Sequence, residues 1–307
     1  MRVAVVDIGT NSTRLLIADV GHDGLTELDR RSVVTRLGEG VDATGALGDA
    51  PQQRVFAVLD EYARAIEDAG CEASTAVMTS AVRDASNGAA FAAAVRDRYS
   101  LAGRTLSGDQ EARLTFLGAT TARPQATGDS GPLMVIDIGG GSTEFVVGAA
   151  EAVEFFVSTQ AGVVRHTERH LHSDPPAPTE IEALAADARA VIAQAVPADV
   201  RDRVGEAVAV AGTATQCAAI DLALDPYDAD RVEGHELSRS TLETLLARLA
   251  GVSLEKRLGV PGLDPSRAPT IVAGVVILLE ILKAFGLESV TTSERDILWG
   301  VALERAG

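Results

Sequence analysis

The chain has 307 residues, 46% of them apolar and 23% charged, with a formal net charge of −17. That length suits two domains of ordinary size, and that composition excludes a disordered chain. So acidic a protein lacks the basic footprint of a general nucleic-acid binder, and it admits a polyanion only where local arginines and a metal reverse the field.

The first 40 residues read as three consecutive strands, the third from about Leu25 to Leu37. Between the first two lies the turn Asp7-Ile8-Gly9-Thr10-Asn11-Ser12-Thr13. Apolar residues at helical spacing (Val55, Val58, Leu59, Tyr62, Ile66) predict a helix from Pro51 to Ala69, closed by Gly70. A short buried strand follows at Thr75–Thr79, then a polar turn, Ser80–Asn87, and an Ala-rich helix from Gly88 to about Tyr99. A strand near Arg104–Ser107 leads through Gly108 into a helix from about Asp109 to Thr121.

From Thr121 to Pro132 the chain turns to Pro, Gly, Ser, Thr and Asp, which marks a domain boundary. Then the opening phrase returns as Asp137-Ile138-Gly139-Gly140-Gly141-Ser142-Thr143-Glu144, between the strands Leu133–Ile136 and Phe145–Val147. A third strand runs from Ala152 to Thr159. A helix from about Thr179 to Val196, a strand Ala207–Val210, helices at about Ser238–Ala250 and Ala268–Phe285, a strand near Ser289–Thr291 and a helix Glu294–Arg305 complete the order. This internal duplication predicts two similar α/β domains, residues 1–124 and 125–307, each a mixed sheet flanked by helices, with ligand in the crevice between them. The C-terminal helix, 294–307, is a candidate to pack back on the first domain.

Each Asp-Ile-Gly phrase is a strand, a tight turn and a returning strand. Gly and hydroxyl residues there let backbone N–H groups approach phosphate oxygens, and strand-end aspartates suit a hydrated Mg²⁺. One such turn is weak evidence; the pair points to a phosphate site, and Asp137 and Glu144, flanking the second turn, are candidates to hold a cation together. Gly212-Thr213-Ala214-Thr215 ends a strand and opens a helix, which fits either a phosphate-facing N-terminus or an ordinary connection. Arg83 suits a phosphate clamp or a surface pairing with Asp84. Glu111, at a helix start, reads by itself as a dipole-favoured acid. The segment Arg165–His172 holds three His and two Arg without metal-ligand spacing, and reads as a solvated basic turn. Cys71 and Cys217 read as buried reduced thiols. The first strand starts at Val3, so no secretory leader is expected. The apolar run Ile271–Leu279 falls short of the ~20 residues of a membrane span, so Ile271–Leu282 is expected as a packed core helix in a cytoplasmic protein with no membrane contact.

Taken together these segments resemble the exopolyphosphatase / guanosine pentaphosphate phosphohydrolase (Ppx/GppA) family of the actin-like ATPase superfamily. The resemblance rests on Asp7–Thr13, Arg36-Leu37-Gly38-Glu39-Gly40, Thr79–Asn87, Ser107–Leu114, Asp137–Glu144, Gly162–Arg165 with Thr167–Arg169, Gly212-Thr213, Pro261–Leu263 and Arg267-Ala268, in order along almost the whole chain. Ser-Ala-x-Arg-Asp-Ala-x-Asn and Glu-Ala-Arg are specific to this family. The resemblance implies two actin-like (ribonuclease H-like) domains with an interdomain cleft. It implies Mg²⁺-dependent (Mn²⁺ in its place) hydrolysis of a terminal phosphoanhydride, with Glu111 as base. Asp137, Glu144 and Asp7 would hold metal. Asn11, Ser12, Thr13, Arg83, Gly139, Gly140, Gly141, Ser142, Thr143, Gly212 and Thr213 would bind phosphate.

The implied substrate is inorganic polyphosphate, with guanosine pentaphosphate as the alternative and a homodimer as the assembly. Because larger relatives carry added helical domains, short polyphosphates are the expected substrates. An actin-like small-molecule kinase and a non-enzymatic nucleotide-binding protein are the competing classes; Glu111, Asp137 and Glu144 speak against the second. The sequence departs from the family's pattern at Gln110, Pro269 and Trp299.

Overall fold

The computed structural model describes residues 1–21, 24–121, 131–149 and 152–306. In chain order the first elements are β1 (Arg2–Ile8), β2 (Ser12–Gly21), β3 (Gly24–Val34), α1 (Val41–Thr44), α2 (Asp49–Asp68), β4 (Ala73–Met78), α3 (Ser80–Asp84), α4 (Gly88–Tyr99), β5 (Ala102–Thr105) and α5 (Gly108–Thr120). Then come β6 (Leu133–Ile138), β7 (Thr143–Ala149), β8 (Ala152–Thr159), α6 (Val163–His170), α7 (Pro178–Ala195), α8 (Ala198–Arg201), β9 (Glu206–Val210) and α9 (Ala211–Asp221). The last are α10 (Ala229–Val232), β10 (Glu236–Ser238), α11 (Arg239–Ala250), α12 (Leu254–Arg257), α13 (Ile271–Ala284), β11 (Ser289–Ser293) and α14 (Ile297–Ala306).

The chain divides into two compact units, Met1–Thr121 with Asp296–Gly307, and Ala122–Arg295. The boundary expected at residue 124 lies outside the described residues. Among the described residues, the first unit's sheet has the order β3-β2-β1-β4-β5 and the second's β10-β11-β9-β6-β7-β8. In each, a hairpin and a third antiparallel strand are followed by parallel strands: β1 pairs with β4 as β6 pairs with β9. The fold is thus α/β, with two mixed sheets flanked by helices and one plan used twice.

Alternation along β1 shows how the first sheet is covered on both faces. Ala4, Val6 and Ile8 pack with Val55, Leu59 and Tyr62 of α2 and Phe91 of α4. Val3 and Val5 pack on the other side with Leu114 of α5 and Ile297, Leu298 and Val301 of α14. In the second unit every residue of α13 from Ile271 to Leu282 is buried, which makes it the expected core helix. Its one acid, Glu280, is met by Arg189 and Lys283. Among the described residues no helix is long and apolar enough to cross a membrane.

Three readings are corrected. Ser80–Asp84 is a short helix with Ser80, Ala81 and Val82 buried, because the turn after β4 folds back on the core. Residues 163–170 form the helix α6, with His166 wholly buried, so the basic segment is amphipathic and not a solvated turn. Cys217 is buried but Cys71 is only half-buried; both are free thiols.

Helices α5 and α14 touch through glycines. A Cβ on Gly118 would lie 2.0 Å from the Asp296 carbonyl oxygen, and one on Gly300 would lie 1.8 Å from that of Leu114. Backbone meets backbone there, so nothing can swing aside. Gly300→Ala and Gly118→Ala are each expected to destabilise the first unit by roughly 1–3 kcal/mol, read as a lower urea midpoint. Unchanged midpoints would refute the contact.

Candidate active site

The two hairpin turns close alike. Gly9 N–H donates to the Ser12 carbonyl at 2.9 Å, and Gly139 N–H donates to the Ser142 carbonyl at 2.9 Å. In both, Asp ends the incoming strand one pair before the turn: Asp7 lies opposite Arg14, and Asp137 lies opposite Glu144. Directly opposed residues on antiparallel strands present their side chains on one face, close enough to interact.

The consequences differ. In the first unit Arg14 donates to Asp7 Oδ2 from Nε at 2.9 Å and Nη2 at 2.6 Å. Burial pushes the Asp7 carboxyl above its ordinary value, Arg14 pulls it down, and Asp296 nearby pushes it up again, for a net rise. Asp7 Oδ1 is buried and has no hydrogen-bond partner, and neither has Asn11 Oδ1 in the same turn. In the second unit two buried acids, Asp137 and Glu144, oppose each other where the first unit has an ion pair. Like charges so placed repel unless a cation lies against them. Ser158 Oγ donates to Glu144 Oε1 at 2.6 Å from the neighbouring strand and fixes that carboxylate.

Within each unit these buried oxygens, of Asp7 and Asn11 in the first and of Asp137 and Glu144 in the second, suit a hard divalent cation. Among the described residues no three His, Cys, Asp or Glu side chains gather into a ready metal cage. The ion would therefore keep much of its water or take substrate oxygens, as Mg²⁺ does.

Glu111 and Arg83, far apart in sequence, meet in the first unit. Arg83 Nη1 donates to Glu111 Oε2 at 3.0 Å and to the Leu106 carbonyl at 3.1 Å. The alternative pairing also exists, since Arg83 Nε lies 3.5 Å from Asp84 Oδ1. Glu111 sits in the first turn of α5 and is 6% exposed. The departure at Gln110 has a local reason. Ser107 and Gln110 cap α5 reciprocally, Gln110 N–H to Ser107 Oγ at 3.2 Å and Ser107 N–H to Gln110 Oε1 at 3.1 Å.

Of the hydroxyls, Thr13 and Thr143 are fully buried and work inside their units. Thr13 Oγ1 bonds Thr35 Oγ1 at 3.0 Å, and Thr143 Oγ1 donates to the Ala161 carbonyl. At the third turn, Thr213 Oγ1 donates to the Ile138 carbonyl at 2.9 Å, which ties Gly212-Thr213 to the second hairpin. Ala211 adopts φ 61°, a strained left-handed conformation for a residue with a Cβ. Gly212 lets the Arg267 guanidinium approach so closely that a Cβ would fall 2.0 Å from Nη1.

A model of the Ppx/GppA phosphatase family matches residues 15–306. The chain belongs to that family. It is 35% identical over 319 residues to Exopolyphosphatase 2 of Mycobacterium tuberculosis, covering 100% of this chain and 99% of that one. A solved Ppx/GppA structure from Aquifex aeolicus is 30% identical, covers 100% of this chain and 97% of its own, and superposes with TM-score 0.82. An exopolyphosphatase structure from Cytophaga hutchinsonii, 23% identical with TM-score 0.90 over 99% and 97% of the two chains, shares the fold.

Residues that sequence reasoning missed brace the Ppx/GppA turns from behind. Thr10 Oγ1 bonds Ser80 Oγ at 2.8 Å and accepts Ala81 N–H at 3.2 Å, which ties the first turn to the helix of Arg83. Gly38 N–H donates to the Thr10 carbonyl at 2.8 Å, and a Cβ on Gly38 would clash with the Thr10 methyl at 2.2 Å. In the second unit α6 plays this part. Val163 N–H donates to the Gly139 carbonyl at 3.0 Å, Val164 N–H to Gly140 at 2.9 Å and Arg165 Nε to Gly141 at 2.9 Å. The His/Arg segment gave a signal of composition but not of orientation.

His166 links this brace to stability. Its ring is fully buried, with Nδ1 3.2 Å from the Gly162 carbonyl. Burial pulls it below its ordinary value against the pull of Asp187. The unfolded chain then takes up a proton near pH 6.5 while the fold resists it until lower pH. The stabilisation is complete above about 6.5 and falls below it, by at most ~1.4 kcal/mol per pH unit. Urea midpoints at pH 7.5 and 5.5 should differ less in His166→Phe than in the wild type; an equal difference would refute the assignment.

Proposed function

We propose that this protein is an exopolyphosphatase that releases terminal orthophosphate from inorganic polyphosphate with Mg²⁺, which Mn²⁺ can replace. The observation that carries the reading is Glu111: a nine-tenths-buried carboxylate at a helix start, held by Arg83, in a chain of this family. Its carboxylate orients an attacking water and accepts the proton as the P–O bond forms. The terminal P–O–P bond breaks, and the products are orthophosphate and a chain one unit shorter. Arg83 meets the charge on the phosphoryl oxygens and fixes the carboxylate beside it.

The turns supply positioning. The carbonyls of Gly139, Gly140 and Gly141 are engaged by α6, so the amides of Gly140 and Gly141, with Ser142, are the groups we assign to phosphate oxygens, while the Gly139 N–H closes the turn on the Ser142 carbonyl. Asn11 and Ser12 have the same role in the first unit, and Gly212 with Thr213 in the third turn. Thr13 and Thr143 are assigned to holding their turns in shape. Asp137 and Glu144 are the residues we assign to the divalent cation, with Asp7 as helper. When bound, the cation neutralises phosphate charge that the protein's own acids would otherwise repel.

Two variants test this. Glu111→Gln should lower kcat for phosphate release from polyphosphate by about 10²- to 10⁴-fold, with KM little changed. Glu144→Gln should need more Mg²⁺ for half-maximal rate. Guanosine pentaphosphate is assayed alongside. Release from the nucleotide alone would replace this reading with the nucleotide hydrolase, and release from neither would return the kinase class to consideration.

A further inference from the structure

Asp296 belongs to none of the phosphate turns, yet it is wholly buried beside one of them. Its Oδ1 accepts Leu298 N–H at 3.0 Å and so starts α14. Its Oδ2 accepts Arg14 Nη1, and Arg30 Nη2 lies 3.4 Å away. Arg14 also donates from Nε and Nη2 to Asp7 Oδ2. Asp7, Arg14, Asp296 and Arg30 thus alternate through the first unit, with Glu27 4.0 Å from Arg30 beyond them.

The arrangement limits what Arg14 can do to Asp7. A guanidinium facing one carboxylate alone prefers the two-pronged fork that engages both oxygens. Here the Nε/Nη2 edge faces Asp7, and with Arg14 anchored at Nη1 by Asp296 both prongs fall on Asp7 Oδ2. The other, Oδ1, is left buried without a hydrogen bond. An unpartnered buried carboxylate oxygen costs stability unless something occupies it. Asp296 itself cannot drift: its carbonyl accepts Trp299 and Gly300 N–H and lies against Gly118 of α5.

We propose that Asp296 is a positioning residue for Asp7: by holding Arg14, it keeps Asp7 Oδ1 open to a hydrated cation. The proposal rests on the assignment of Asp7 as a metal helper. It makes the start of the C-terminal helix part of the machinery although it touches no substrate.

The test is Mn²⁺ binding to the substrate-free protein by calorimetry, with the Mg²⁺ dependence of phosphate release beside it. Asp296→Asn keeps the Oδ1 cap but no longer anchors Arg14 with a charge. It should weaken Mn²⁺ binding by about 10-fold, the usual cost of losing an outer support, and raise the Mg²⁺ requirement in parallel. At saturating Mg²⁺, KM for polyphosphate should stay within about twofold of wild type, well inside the effect of losing such a support. Asp296→Glu, which keeps the charge, should weaken Mn²⁺ less, and it serves if the Asn variant does not fold. In an Asp7→Asn background, Asp296→Asn should change Mn²⁺ binding no further. Unchanged Mn²⁺ affinity in Asp296→Asn, or the same loss in the Asp7→Asn background, overturns the proposal. If Asp7→Asn alone leaves Mn²⁺ affinity intact, the assignment of Asp7 fails instead, and the proposal with it.

Discussion

A carboxylate at the end of a buried strand must meet a positive charge, and this constraint organises both units. The hairpin register places one residue directly across from each strand-end aspartate. In the first unit that residue is Arg14, and the acid is met within the chain. In the second it is Glu144, and two buried acids stand directly opposite each other. The same backbone plan thus sets an arginine against the aspartate in one copy and a second acid against it in the other.

The remaining architecture keeps those turns in shape. A tight turn that leaves its amides outward needs partners for its carbonyls behind it. The first turn finds them in Gly38, Thr35 and Arg36, whose backbone N–H groups reach the Thr10 and Asn11 carbonyls. The second finds them in the start of α6. Glycine appears where backbone must approach backbone. Gly162 is one case, since a Cβ there would lie 2.3 Å from the Gly140 carbonyl oxygen. A net charge of −17 calls for locally placed cations wherever a polyanion is to bind. Arg83 stands beside Glu111, and Arg267 lies against Gly212.

Most of the fold was legible because its signals are local. The repeated Asp-Ile-Gly phrases, the helical spacing before Gly70 and the apolar run of α13 each depend on neighbours in sequence, and strand or helix period follows from them. Short elements such as β10 and α3 escaped because three to five residues carry no period, and tertiary contacts decide them. The basic segment 163–170 misled for a related reason. Its His and Arg composition reads as solvent-facing, and only packing against α7 shows that His166 is interior while Arg169 reaches Asp187 from the exposed side.

The site divides along the same line. The sequence by itself determined which residue types recur at the two turns, since a glycine-rich hairpin ending in Asp is specified by adjacent residues. It also determined family membership, through segments spread along the chain. Tertiary structure alone decided who meets whom. Arg83 and Glu111 are 28 residues apart and Arg14 and Asp296 are 282 apart, yet each pair is in contact. Alone, Glu111 read as a helix-start acid, and Asp296 gave no signal at all. Sequence spacing does not encode such contacts. They arise when sheet order and helix packing bring distant strand ends and helix starts together, and burial then makes each charge depend on its partner.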